Sequence, residues 1–211
     1  MRTGSSLDAV PESRKGVLFE AIALVLIGKG RHRFRVGISS KETYRAGDAV
    51  ARERGIAAVQ LELRGYGRQG NQGFLERTGL VLPSEAQWEY ACRAGTSGPY
   101  SGTGNLDDMG WHDGNSDGMT HDVGTKQAND FGLHDIHGNV FEWCRDAYDG
   151  GFYGKPQALF GDPVASGSEK WVLRGGGFSV GTSFFRSAGR FSATPDFSAF
   201  DLGFRPARPL P

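Results

Sequence analysis

Apolar and polar positions alternate clearly in only a few parts of the chain. The stretch HRFRV (32–36) alternates in the way of a half-buried strand, with Phe34 and Val36 facing inward. A capping box at Ser39 and Glu42 predicts a helix that ends near Gly55. The stretch IAAVQLELRG (56–65) predicts a short strand after it.

The strongest helical signal is LPSEAQWEYACRAG (82–95). Ser84 is the predicted N-cap, Gln87 completes a capping box, and Gly95 ends the helix. Three residues share one face at spacings of three and four and are predicted to point into the core: Trp88, Ala91 and Cys92.

The one long apolar run is VLFEAIALVLIG (17–28). It is too short to span a bilayer, Glu20 interrupts it, and no cleavage site follows. We therefore expect no membrane insertion, and find no convincing signal peptide. Residues 1–30 are predicted to be an N-terminal segment that is partly disordered or docked, and residues 31–208 a single domain.

Most of the remaining sequence is loop-like. Residues 96–132 are dense in Gly, Asp and Asn, and the 33 glycines of the chain suit a fold rich in turns. Two later stretches, WVLRGGGF and LGFRPAR, are typical of buried strands. Lys plus Arg equals Asp plus Glu, so the formal net charge is zero, which argues against a general nucleic-acid binder.

The residues with reactive side chains are few. Cys92 and Cys144 could form one bridge, but two buried thiols that pack as small apolar groups are the favoured interpretation. The histidines are interpreted as solvated or structural. No Gly-x-Ser-x-Gly elbow indicates a hydrolase.

Five pieces in one order resemble the formylglycine-generating-enzyme (sulfatase-modifying factor) type of C-type lectin fold. They are LPSEAQWEYACRAG, NDFGLHDIHGNVFEWC, WVLRGGGF, FRSAGR and LGFRPAR, within about residues 80–208. The resemblance implies a compact α+β domain with a small twisted antiparallel sheet, two helices and much ordered loop.

The family's oxidases use a cysteine pair near the C-terminus that binds copper. The matching positions here are Thr182 and Ser187, neither of which can supply the soft thiolate that Cu(I) requires. We therefore expect neither copper nor enzymatic activity.

The same resemblance implies structural calcium in DIHGNVFEW. The ligands would be the side chains of Asp135 and Glu142 and the carbonyls of Gly138 and Val140, all hard oxygen donors. The alternative is that Asp135 and Asn139 organise a tight turn while Glu142 pairs with an arginine. Of a second family calcium site, only Asn115 matches.

One branch of this fold has no catalytic cysteines: the variable proteins of diversity-generating retroelements. Their varied codons are mostly Asn codons, and randomising the adenines never gives Lys, Glu, Gln, Met or Trp. None of these five residue types occurs between Ser179 and Asp201. The resemblance implies a variable binding region over about residues 171–208.

Within that region, residues that look fixed alternate with blocks that look arbitrary. The predicted frame is Gly176, Phe178, Arg186, Ser187, Ala188, Arg190, Pro195, Asp196, Gly203, Phe204 and Arg205. The predicted ligand-binding set is Ser179, Val180, Gly181, Ser183, Phe184, Gly189, Phe191, Ser192, Ala193, Thr194, Phe197, Ala199, Phe200 and Asp201. Rings on small neighbours bury much area at little entropic cost, which suits a binding face.

The sequence therefore predicts a non-enzymatic, receptor-type protein that binds a protein or a surface glycan and varies its specificity by retroelement diversification. The alternative is a formylglycine-generating-enzyme-like protein that acts on a peptide or small molecule and has lost the cysteine pair. Phe178 and Phe204 are expected in the core, and Phe184, Phe191, Phe197 and Phe200 on the surface. The protein is expected to be soluble; the sequence leaves its location open, with surface display and association with a virion as the candidates.

Overall fold

The computed structural model describes residues 20–21, 72, 75–76 and 79–208. The elements predicted at 32–36, 39–55 and 56–65 lie outside the described residues. The same is true of the boundary expected near residue 30 and of most of the apolar run.

Helix α1 spans Glu85–Arg93. Its capping box is present as predicted: Ser84 Oγ accepts from the Gln87 amide, and Gln87 Oε1 accepts from the Ser84 amide. The helix ends through Ala94 and Gly95, both at positive φ. Trp88 and Cys92 are buried, whereas Ala91 is half-buried. A short helix α2, Leu106–Met109, follows in the loop-like region.

A four-stranded sheet forms the centre of the domain. Its strands are β2 (Phe141–Ala147), β3 (Trp171–Arg174), β4 (Phe191–Ala193) and β5 (Leu202–Phe204), in the order β4-β3-β2-β5. The β2–β3 and β3–β4 pairs are antiparallel as expected, but β2 and β5 run parallel. A smaller sheet pairs β1 (Glu20–Ala21) with β6 (Ala207–Arg208).

Alternation along the central strands places two clusters on opposite faces of the sheet. Trp143 and Leu173 pack with Leu82 and β5 on one face. Their neighbours Cys144 and Val172 pack against Trp88 of α1 on the other. Phe178 and Phe204 are buried, which confirms their assignment to the core. No helix within the described part of the chain combines the length and apolar character needed to cross a membrane.

Candidate functional site

The chain from β3 to β5 forms a surface built on one deeply buried ring. A 3-10 turn at Thr182–Phe185 places Phe185 fully inside, while Phe184 faces outward. Gly176 lies against the buried ring at φ +86°, and a Cβ there would be only 2.8 Å from Phe185 Cδ1. Glycine at 176 is therefore what lets Phe185 anchor the segment.

Three phenylalanines of this surface are exposed. The exposed fractions are 39% for Phe184, 49% for Phe197 and 51% for Phe200. Phe191 is half-buried: its ring stacks on Phe184 at 5.2 Å and meets the edge of Phe141 at 5.3 Å. The expected surface position is thus confirmed for Phe184, Phe197 and Phe200, whereas the half-buried Phe191 joins Phe184 to Phe141.

The other members of the predicted ligand-binding set vary in exposure. Exposed are Ser179, Ser183 and Thr194, and half-buried are Val180, Gly181, Gly189, Ser192, Ala193 and Ala199. The expectation is wrong for Asp201, which is buried: its carboxylate accepts from Ser179 Oγ at 2.8 Å, and its carbonyl accepts from the Phe141 amide at 2.7 Å. Asp201 directly precedes β5, so its backbone joins the sheet.

The predicted frame contains both exposed and buried positions. Arg186, Ala188 and Asp196 are exposed, whereas Arg190 and Pro195 are half-buried. The remaining frame residues are buried: Gly176, Phe178, Ser187, Gly203, Phe204 and Arg205. Residues 186–189 form a turn closed by the Gly189 amide, which donates to the Arg186 carbonyl at 2.7 Å; Arg186 and Ala188 lie on its outer side and Ser187 is buried.

A buried polar cluster lies directly beneath the 3-10 turn. His137 Nδ1 donates to the Phe185 carbonyl at 2.8 Å, and its Nε2 accepts from the Ser101 amide at 3.0 Å. Because a carbonyl can only accept, Nδ1 carries the proton. Burial lowers the pKa of His137 to about 4, so the ring is a neutral structural group.

The two cysteines are free and buried. Cys92 Sγ lies 3.6 Å from His137 Nε2, and burial raises the pKa of its thiol to about 12. Burial also raises the pKa of Cys144 well above its usual value. Thr182 is exposed and Ser187 is buried. Neither thiol is therefore ionised near neutral pH, as an activated cysteine nucleophile would be.

The residues predicted to hold calcium make other contacts in the structure. Both oxygens of Glu142 accept from Arg205, at 2.7 and 3.0 Å, and one also accepts from Trp88 Nε1. The Gly138 carbonyl accepts from the Val140 amide at 2.8 Å. Asp135 Oδ2 accepts from the Gly124 amide, while its buried Oδ1 has no hydrogen-bond partner in the described structure.

These contacts agree with the alternative in which Glu142 pairs with an arginine. Among residues 79–208 and the few described before them, no group of three His, Cys, Asp or Glu side chains is placed to hold a metal ion. Asn115, the match to the second family site, uses Oδ1 to accept from the His112 amide and Nδ2 to donate to Gly110. Calcium at these positions stays a prediction.

The fold and this surface together define a C-type-lectin-like α+β domain of the formylglycine-generating-enzyme type. Residues 44–210 match the family described as "Sulfatase-modifying factor enzyme 1-like domain", and the chain belongs to that family. The resemblance stated from the sequence motifs is confirmed.

The formylglycine-generating enzyme of Streptomyces coelicolor is 34% identical over 145 residues, covering 60% of this chain and 46% of that protein. The chain thus spans about half the length of this curated relative. Among solved structures, Treponema denticola variable protein 1 is 33% identical with a TM-score of 0.56, over 62% of this chain and 48% of that one. PvdO from Pseudomonas aeruginosa is 28% identical with a TM-score of 0.59, over 86% and 66%.

Proposed function

We propose that this chain is a non-enzymatic binding protein whose C-terminal region, about residues 171–208, is diversified by a retroelement. The observation that carries the proposal is the set of exposed rings, Phe184, Phe197 and Phe200, on a segment anchored by buried residues. Exposed apolar rings cost solubility and mark interaction surfaces. The ligand is a protein or a surface glycan.

The residue types of the segment support diversification. Between Ser179 and Asp201 the chain lacks all five residue types that adenine randomisation of Asn codons does not give. Apart from Arg186 and Asp196, the exposed positions there carry Ser, Thr, Ala and Phe side chains, whose small members leave the surface open to a partner between the rings. The likeness to a variable protein among the solved structures supports the same interpretation.

The state of the thiols supports a role without catalysis. Formylglycine-generating enzymes are named among the relatives, so an enzymatic role is the main alternative. In this chain the family's cysteine positions hold Thr182 and Ser187, and the pKa of each cysteine that is present is raised by burial. A surface-displayed or virion-associated location is part of the proposal.

The proposal is tested by sequencing the DNA around the gene. We expect a reverse transcriptase gene and a near-identical copy of the codons for residues 171–208, with adenines at the codon positions of the exposed members of the predicted ligand-binding set. The buried codons, such as those of Phe185 and Arg205, serve as the internal control and should match between the two copies. A locus with neither the enzyme gene nor the repeat would refute diversification.

A further inference from the structure

The segment between the 3-10 turn and β4 alternates between displayed side chains and a held backbone. Phe184, Arg186 and Ala188 face outward, whereas Phe185 and Ser187 are buried. The Ser187 amide donates to the Pro99 carbonyl at 2.7 Å, and the Gly189 amide donates to the Arg186 carbonyl at 2.7 Å. Contacts other than those of the displayed side chains therefore hold the main chain of residues 184–189 in place.

Arg174, the last residue of β3, provides one part of that fixation. Its guanidinium is fully buried and donates to the carbonyls of Ser187 at 2.8 Å and Gly189 at 2.7 Å. The same group pairs with Glu89 of α1 at 2.5 Å and lies 3.5 Å from Glu85. One side chain thus joins the sheet, the helix and two carbonyls of the displayed segment.

Arg190, which lies within the segment, provides a second set of contacts that hold it. Its Nε and Nη2 donate to the two oxygens of Glu85, at 2.6 and 2.7 Å, and Nη1 donates to the Asp149 carbonyl. The guanidinium carbon lies 5.2 Å from the Tyr148 ring and 4.9 Å from the Tyr153 ring. This forked geometry and the ring contacts require arginine rather than lysine.

The positive and negative charges of these buried contacts balance. Two arginines, Arg174 and Arg190, meet two carboxylates of α1, Glu85 and Glu89, and Glu85 is almost completely buried. Removing one partner of a buried pair leaves an uncompensated charge, which is strongly unfavourable. The segment therefore has one favoured position against α1.

We propose that Arg174 and Arg190 are positioning residues that, through Glu85 and Glu89, hold residues 187–190 against helix α1 whichever side chains are displayed around them. Their acceptors are main-chain carbonyls and helix carboxylates, so the contacts do not depend on the identity of the displayed residues. The use of this device for binding rests on the proposed function.

Position 190 matters most because it lies between two members of the predicted ligand-binding set. Gly189 precedes it and Phe191 follows, and the Phe191 ring stacks on Phe184. Fixing residue 190 therefore fixes where the stacked pair is presented.

The proposal is tested by amide hydrogen exchange, followed by mass spectrometry, on the whole chain. In Arg190→Gln we expect the amides of residues 187–191 to exchange at least about tenfold faster, because the pair with Glu85 is lost. Amides of β2 should keep their wild-type rates. Arg190→Lys, which keeps the charge but not the fork, should fall between the two.

The matched control is Arg186→Gln, the same substitution at an exposed arginine of the same segment. It should leave all rates unchanged. Unchanged exchange in Arg190→Gln would overturn the proposal. Equal acceleration in β2 and in residues 187–191 would also overturn it, since Arg190 would then support only global stability. If Arg190→Gln does not fold, the same two criteria apply to Arg190→Lys.

A final variant separates this proposal from the proposed function. Phe184→Ser combined with Thr194→Ala changes displayed residues but none of the contacts of Arg174 or Arg190 with Glu85, Glu89 and the main chain. Protection of residues 187–190 should persist in that variant, and its loss would contradict the independence from displayed side chains. A locus without a retroelement would refute diversification and leave this measurement unaffected.

Discussion

His137 shows how a single residue acquires its role only from its surroundings. In sequence it lies in a turn-like motif with no periodicity, where a solvated or a structural ring fits equally well. In the structure it is fully buried, and its two nitrogens join the Phe185 carbonyl to Ser101. The neutral ring thus supports the turn that presents Phe184.

This burial predicts a pH-dependent contribution to stability. Folding lowers the pKa of His137 from 6.5 to about 4, so the unfolded chain binds the proton more readily between these values. The contribution is therefore complete above about pH 6.5 and decreases as the pH falls towards 4. Urea unfolding at several pH values measures it.

The appropriate comparison is with His137→Leu, because other titrating groups then cancel. The difference in unfolding free energy between wild type and variant should shrink by about 2 kcal/mol between about pH 7 and about pH 5. A difference that stays constant would show that the ring is not buried as a neutral group. Titration of the imidazole by NMR gives an independent value of the pKa.

Asp201 marks the limit of inference from residue types. It fits the diversified pattern, since Asp is among the residues that randomised codons give. Its burial follows from the sheet, where its carbonyl bonds to Phe141 and its carboxylate lies beside Gly177. A pattern of residue types does not report which backbone positions are paired.

At the scale of elements, the sequence predicted helix α1 directly, but it did not predict the contacts of the segment from Asp135 to Glu142. The capping box, the apolar face and the terminal glycine of α1 are all local features, so the sequence specifies them directly. The pairing of Glu142 with Arg205 joins residues far apart in the chain. Only the parallel contact of β2 with β5 brings them together.

The contacts of the segment from Asp135 to Glu142 predict its response to chelation. Since Glu142 is held by Arg205 rather than left as a free ligand, we expect EDTA to leave the melting temperature unchanged. The measurement is a thermal melt with EDTA and with added calcium. Added magnesium serves as the control for a general salt effect. A melting temperature that rises with calcium alone would show that the carboxylates bind it.

At the scale of the whole molecule, displayed and buried rings should differ in energy. Phe184→Ser, Phe197→Ser and Phe200→Ser should each cost about 1–2 kcal/mol, because these side chains are already about half exposed to water. Phe185→Ala, at the neighbouring buried position, should cost about 3–5 kcal/mol. Urea denaturation measures the free energy of unfolding of each variant.

This comparison is internally controlled, because Phe184 and Phe185 are adjacent in sequence and opposite in burial. A loss of several kcal/mol in the variants of the exposed rings would make them part of the core. It would also remove the surface on which the proposed binding depends.

The sequence by itself determined the capped helix, the family and its α+β class, because these depend on local motifs in a fixed order. It also separated the core rings Phe178 and Phe204 from the exposed Phe184, Phe197 and Phe200. The tertiary structure decided that Asp201 is internal and that Arg186 and Ala188 are displayed. It also decided that Arg174 and Arg190 share the carboxylates of α1. The physical reason is that burial and ion pairing depend on which distant segments meet, and no local pattern encodes that.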